Sequence, residues 1–165
     1  MIRGLHHVAV ATRDIDRLLT FYRDLLGWEV VSDWGWPAGT KAADLVTALP
    51  GSAAHSVMLR NGNAYLELFQ YSAPEPGPGD PRRRVCDPGI THLCLDVTEV
   101  DAEYERLNAA GMVFHCPPQD VAPGVRTTYG RDPDGNVVEL QQVAPGERIA
   151  LRDFVIEDAG VGEGR

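Results

Sequence analysis

Four side chains in this sequence, His7, Glu67, His92 and Glu139, have the types and placement to hold one divalent cation. Neutral imidazole nitrogen with carboxylate oxygen suits borderline metals such as nickel, cobalt, zinc, iron or manganese, and is a poor match to a structural thiolate site. Four such ligands in a six-coordinate shell leave two adjacent positions for substrate oxygens. Taken singly, each residue has an ordinary alternative: a strand histidine is often a hydrogen-bonded structural residue, and a glutamate often faces solvent. Two carboxylates and two imidazoles enclosed together need a cation, because burying an unpaired charge costs several kcal/mol.

A repeat joins the four. Leu5-His-His-Val-Ala-Val-Ala-Thr-Arg-Asp-Ile-Asp aligns with Ile90-Thr-His-Leu-Cys-Leu-Asp-Val-Thr-Glu-Val-Asp, placing His7 on His92, Ile15 on Val100 and Asp16 on Asp101. Both segments alternate as strands do, and both lead into helical spacing. Ile15, Leu18, Leu19, Tyr22 and Leu26 mark the first helix, with Thr12 or Asp14 to cap it and Gly27 to end it. Val100, Tyr104 and Leu107 mark the second, between Thr98 and Gly111. Strands at Trp28–Val31 and Met112–Cys116 follow. Asn-Gly and Asp-Gly turns at Arg60–Asn63 and Asp132–Gly135 then precede Ala64-Tyr-Leu-Glu-Leu-Phe and Asn136-Val-Val-Glu-Leu-Gln. Each half therefore reads strand, helix, strand, strand, strand.

Strand parity decides which groups point together. Val8 and Val10 face the first helix, which sends His7, Ala9 and Ala11 to the other side. Leu93, Leu95 and Val97 send His92 and Cys94 the same way. Leu66 and Leu68 leave Glu67 opposite, and Val138 with Leu140 leave Glu139 opposite. All four candidate ligands are expected on one concave face. His6 points the wrong way, and His55 and His115 have no repeat partner, so they read as surface or edge residues.

The fold class expected is α+β: two βαβββ modules packed into one curved mixed sheet forming a cup, with the helices outside. Residues 1–71 form the first module, 72–89 a Pro/Gly-rich linker, 90–143 the second module and 144–165 a peripheral tail, in which Ile149–Ile156 could form a strand or interface. Module one carries an insertion over 32–56 with Trp34, Trp36 and a short helical stretch near Lys41–Leu49, a pocket wall or lid in one reading and simple packing in the other. Module two has only the Pro117–Gly124 loop there. Tyr65, Phe69 and Tyr129 are candidates to line a pocket beside the metal, or to pack the core.

With 165 residues and a formal charge of −9, the chain offers no general nucleic-acid surface. Its one basic run, Arg82-Arg83-Arg84, lies in the linker and reads as solvated, with anion capture the lesser alternative; Arg126 and Arg131 read likewise. No apolar run has the length of a membrane span, and a cytoplasmic location is expected. Cys86, Cys94 and Cys116 show neither paired nor zinc-knuckle spacing, so a reducing compartment fits, with Cys94 a small buried strand residue.

Leu5-His-His-Val-Ala-Val, Phe21-Tyr-Arg-Asp-Leu-Leu-Gly27, Leu66-Glu-Leu, Gly89-Ile-Thr-His-Leu and Asp132-Pro-Asp-Gly-Asn-Val-Val-Glu-Leu140 together resemble the vicinal oxygen chelate superfamily. That group includes glyoxalase I, methylmalonyl-CoA epimerase, extradiol dioxygenases and bleomycin-resistance proteins. The resemblance covers about Leu5 to Val143 and implies metal ligands from the first and last strands of each module, the positions of His7, Glu67, His92 and Glu139. A His/Glu/His/Glu set resembles bacterial-type glyoxalase I, whereas the epimerases usually carry Gln in the position of Glu67. The implied activity is that of a metal-dependent lyase or isomerase, lactoylglutathione lyase-like, that chelates two substrate oxygens. Glu139 is the expected proton-transferring base and Glu67 the second choice. One ion of nickel, cobalt or zinc is expected first, iron or manganese next. The expected partners are a small-molecule substrate and a second copy in a homodimer, the cup closing within one chain or across the dimer. An iron(II) extradiol-type dioxygenase, an epimerase and a non-catalytic ligand-binding protein are the alternatives.

Overall fold

The computed structural model describes residues 1–151. Strand β1 (Val8–Thr12) leads into helix α1 (Ile15–Leu19), whose last turns widen to π-helical geometry over Thr20–Leu25. Strands β2 (Glu29–Trp36), β3 (Ala53–Asn61) and β4 (Ala64–Ala73) complete module one, with helix α2 (Lys41–Thr47) between β2 and β3. Module two runs β5 (Leu93–Asp96), α3 (Val100–Ala109), β6 (Val113–Phe114), β7 (Gln119–Ala122), β8 (Val125–Arg131) and β9 (Val137–Val143).

The order is β1-β4-β3-β2 in one sheet and β5-β9-β8-β6 in the other, with β7 added beside β8. In both, the first strand pairs in parallel with the last, Ala9 opposite Glu67 and Cys94 opposite Glu139, and the remaining pairs are antiparallel. The expected α+β class and twofold repeat are present. The modules form two sheets with separate ladders, however, and not one continuous sheet.

A single hydrophobic cluster explains that arrangement. It joins the helix-facing strand residues Val57, Leu59, Leu66 and Leu68 of module one to Val138 and Leu140 of module two. Ile15, Leu18, Phe21, Tyr22, Val100 and Leu107 supply it from the helices. The helical layer thus lies in the shared core, and neither small sheet has to cover its apolar face alone. Polar ties cross the same boundary: buried Tyr22 donates its hydroxyl to Asp132 at 2.9 Å, Arg17 pairs with Asp134, and Arg106 donates to the Leu25 carbonyl at 3.1 Å.

Both helix starts are held by the far strand of their own module. Asp14 accepts from the Arg17 amide as the spacing suggests, and the Ile15 amide donates to the Gln70 side chain at 2.8 Å. In module two Glu99, not Thr98, precedes the helix and supplies no side-chain cap; the Val100 amide donates instead to Gln142 at 2.9 Å. Gln70 and Gln142 each stand three residues after a candidate ligand glutamate. Gln142→Ala is expected to lower stability by about 1 kcal/mol, the scale of a lost cap, and a thermal melt checks it.

Residues 32–56 are more ordered than an insertion loop. β2 extends to Trp36, α2 occupies the expected helical stretch, and β3 begins at Ala53. In module two, β6 is two residues long, and residues 119–122 of the Pro117–Gly124 segment form strand β7. The linker's basic run is partly structural: Arg83 donates to the Pro88 and Ile90 carbonyls, and Arg131 donates to the Pro81, Arg83 and Gly135 carbonyls. Gly135, at φ 89°, leaves room for that strap, since a Cβ there would lie 2.3 Å from the Pro81 oxygen. The suggested strand over Ile149–Ile156 lies largely outside the described residues.

Candidate functional site

Parity places the candidate ligands as the alternation requires. Leu66 and Leu68 are sealed in the core while Glu67, between them, faces the other side of the sheet; Val138 and Leu140 flank Glu139 in the same way. His7 and His92 stand immediately before β1 and β5, each two residues ahead of the residue paired with its glutamate. His7 Nε2 comes within 3.2 Å of Glu67 Oε2, and His92 Nε2 within 2.9 Å of Glu139 Oε2. The remaining carboxylate oxygens are held by hydroxyls: Ser56 donates to Glu67 Oε1 at 2.7 Å and Thr127 to Glu139 Oε1 at 2.6 Å.

The modules therefore carry matching half-sites, each an imidazole and a carboxylate steadied by a hydroxyl. Ser56 and Thr127 were not singled out from the sequence. Both occupy the strand before the glutamate, two residues ahead of the residue opposite it, so the repeat that aligned the histidines also contains them.

The expected convergence of all four ligands on one surface within a chain does not occur. Among the described residues no three His, Cys, Asp or Glu side chains gather into a metal-sized group. Both glutamates point away from the helical core that joins the modules, which keeps the two pairs apart.

Each pair nevertheless fits a cation. Two ligand atoms bound at about 2.1 Å on neighbouring octahedral vertices lie about 3 Å apart, close to both observed separations. Glu67 and Glu139 are 6% and 7% exposed, and among the described residues no Lys or Arg forms an ion pair with either. The rear ring nitrogens are also engaged: His92 Nδ1 lies 2.8 Å from Thr91 Oγ1 and His7 Nδ1 lies 2.9 Å from His6 Nδ1. With Nδ1 engaged behind, Nε2 is the nitrogen directed at the carboxylate in both rings, and it is the atom that would bind a metal once Nδ1 carries the ring proton.

His6 stacks on Tyr65 with ring centroids 5.3 Å apart, so it supports its neighbour from behind. Tyr129 lies against His92 at 4.9 Å. Cys94 is exposed and not the buried strand residue expected, because the edge position of β5 leaves its side uncovered. Its sulfur is still partly desolvated, and that together with the nearby Glu139 carboxylate pushes the thiol up to about 12, so it stays neutral at physiological pH. His55 pairs with Asp33 at 2.7 Å, away from both half-sites.

The family model described as the Glyoxalase/Bleomycin resistance protein/Dioxygenase superfamily matches residues 4–140. The chain belongs to that superfamily. A 2-epi-5-epi-valiolone epimerase from Actinomyces sp. is 32% identical over 153 residues, covering 87% of this chain and 81% of its own. Among solved structures, a glyoxalase family protein from Bacillus cereus matches with a TM-score of 0.78 at 18% identity, covering 87% of this chain and 96% of that one. The fosfomycin resistance protein FosX from Listeria monocytogenes, crystallised with Mn(II) and sulfate, matches at 0.59 and 19%, covering 91% and 100%. Superfamily membership agrees with the duplicated modules. No helix among the described residues is long and apolar enough to cross a membrane.

Proposed function

We propose that the protein is a metal-dependent isomerase that moves a proton at a carbon next to a carbonyl, with His7, Glu67, His92 and Glu139 holding the ion. The observation that carries this reading is the pair of matched half-sites: both place an imidazole Nε2 and a carboxylate Oε2 one ligand edge apart, at 3.2 and 2.9 Å, with the second carboxylate oxygen fixed by a hydroxyl. A divalent cation there, nickel, cobalt or zinc first, would supply electrophilic polarisation to a substrate bearing two adjacent oxygens.

The protein's own part is positioning and proton transfer. Glu139 takes the proton from carbon, and the Thr127 hydroxyl restrains the carboxylate while it does so. Glu67 stands in the equivalent place on the other module. If both carboxylates flank one substrate, one removes the proton and the other returns it from the opposite side, which inverts the carbon. Likeness to an epimerase at 32% identity supports that outcome, against the Glu67 that the resemblance sets on the side of a lactoylglutathione lyase-like conversion.

The half-sites meet through a second copy. Within a chain they face away from a shared core, and closing them onto each other would break the buried Tyr22–Asp132 tie. Among the described residues β1 and β5 each end their sheet, with one side unpaired. In a homodimer module one of either copy meets module two of the other, giving two complete sites.

Complementation tests this directly. His7→Ala and His92→Ala should each be inactive and fail to retain stoichiometric metal. An equal mixture allowed to exchange subunits should recover about a quarter of wild-type activity and metal, since half the dimers then hold one intact site of two. No recovery in demonstrably exchanged dimers would sink the shared site. Full metal retention by both variants would sink the ligand assignment.

A further inference from the structure

The two inward faces that carry the half-sites are unlike. In module one, residues paired across the ladder show Trp34, Ser56 and Phe69 on one row and Trp36, Ala54 and Tyr71 on the next, all on the side of Glu67. Their rings touch: Trp34 and Trp36 centroids are 5.5 Å apart, and Trp36, Phe69 and Tyr71 are mutually 5.9 Å apart. In module two Gln141 and Val143 occupy the positions of Phe69 and Tyr71, and Gln119 and Ala122 of β7, opposite Thr127 and Val125, stand where the tryptophans do, so none of the four positions is aromatic.

We propose that Trp34, Trp36, Phe69 and Tyr71 bind the body of the substrate, and that this body is an uncharged six-membered ring carrying the two adjacent oxygens. The proposal rests on the metal-site reading above and adds the substrate class. Phe69 is one same-face step from Glu67, about 7 Å along the strand, so a molecule reaching the carboxylate with two oxygens lays its remaining atoms over these rings. Phe69 and Tyr71 are tilted by only 31° to each other, while Trp36 stands at 66° and 81° to them, which makes a corner of two apolar walls. A rigid ring can touch both walls with little loss of internal freedom, which a flexible chain cannot.

The corner is built in advance. Trp36 Nε1 donates to Ser52 Oγ at 3.0 Å, Ser52 Oγ donates to Asp44 at 3.0 Å, and Asp44 also accepts the Gly51 and Ser52 amides, so α2 and its following turn fix the indole. Trp34 remains 48% exposed, a large apolar surface beside a polar half-site. Charge argues the same way. Among the described residues of β2, β3 and β4, the cation on this face is Arg60, on the row of Tyr65, and it is engaged by Glu29 at 2.7 Å. Among the described residues of these strands an anionic tail would find no free partner along the aromatic rows.

Tryptophan emission offers a readout independent of turnover, because the chain has three tryptophans and Trp28 is sealed in the core. Full-length protein, zinc-loaded and metal-stripped, is titrated with 2-hydroxycyclohexanone, catechol, hydroxyacetone and dihydroxyacetone phosphate. The cyclic ligands should perturb the emission and bind about tenfold tighter than hydroxyacetone, the scale of one good ring contact. Trp34→Ala and Phe69→Leu should each erase most of that preference without changing zinc content. Which cyclic ligand binds tighter tells a saturated ring from an aromatic one. Equal affinity for cyclic and open-chain ligands, tighter binding of the phosphate, or a preference untouched in both variants overturns the proposal. Zinc content is measured separately: if the protein holds none, the metal-site reading fails, whereas a surviving ring preference in stripped protein upholds the aromatic subsite.

Discussion

Replacing Glu139 with Gln is expected to lower turnover by about three orders of magnitude while leaving the fold intact, the range seen when a positioned base is removed. Gln preserves the shape of the side chain and an oxygen for the Thr127 hydroxyl, which now sits 2.6 Å from Glu139 Oε1. What it lacks is the capacity to hold a proton taken from carbon. Glu67→Gln separates the two proton-transfer schemes. If each carboxylate serves one face of the substrate carbon, the Glu67 variant loses epimerisation yet still exchanges the substrate proton with deuterated solvent through Glu139. If Glu139 acts alone, both activities survive together. A screen of chelating hydroxyketones supplies the substrate, and an unchanged melting temperature with near-native turnover in Glu139→Gln would remove this carboxylate from the reaction.

What the sequence disclosed about the site was what alternation can carry. Leu66-Glu-Leu and Val138-Glu-Leu announce their inward and outward faces, and the repeat pairs His7 with His92, so the histidine and glutamate of each half-site were legible while the hydroxyls of Ser56 and Thr127 were not. Their separation was not. Parity says which side of its own sheet a residue occupies and nothing about how two sheets are turned, and it is the helices, filling the core between the modules, that turn the half-sites apart. Trp34 and Trp36 illustrate a different gap: they read as an insertion because nothing local distinguishes a strand that continues from a loop that begins. Only their pairing with Ser56 and Ala54 puts them on the face of Glu67. Gln70 and Gln142 show the same limit, since a helix capped from a distant strand leaves no mark beside the helix.

The second large effect is expected at Asp132, which the sequence marks only as the start of a turn. Its Oδ1 accepts the Asp134 and Asn136 amides at 2.9 Å, closing the β8–β9 connection, while Oδ2 accepts the Asn136 side chain at 2.8 Å and the Tyr22 hydroxyl at 2.9 Å across the module boundary. Asp132→Ala is expected to cost about 2–4 kcal/mol, because buried Tyr22 and the turn donors lose their acceptor in a site with little water. Tyr22→Phe should cost less, about 1 kcal/mol, since the carboxylate keeps three donors. In the double variant the two losses should fall short of their sum, the mark of a shared hydrogen bond, and denaturant titrations of all four proteins measure that coupling. Acid provides an independent check. Burial raises the Asp132 carboxyl above its usual range against the opposing pull of its hydrogen bonds. The folded state therefore holds this proton more tightly than the unfolded chain, and the group's contribution to stability rises as pH falls through its folded pKa and levels off below the ordinary carboxylate value. Asp132→Ala should lack that increment, so its deficit relative to the wild type should widen toward acid pH. A deficit that shrinks instead would mean that the ionised form is the one the fold prefers, with the Tyr22 bond outweighing desolvation.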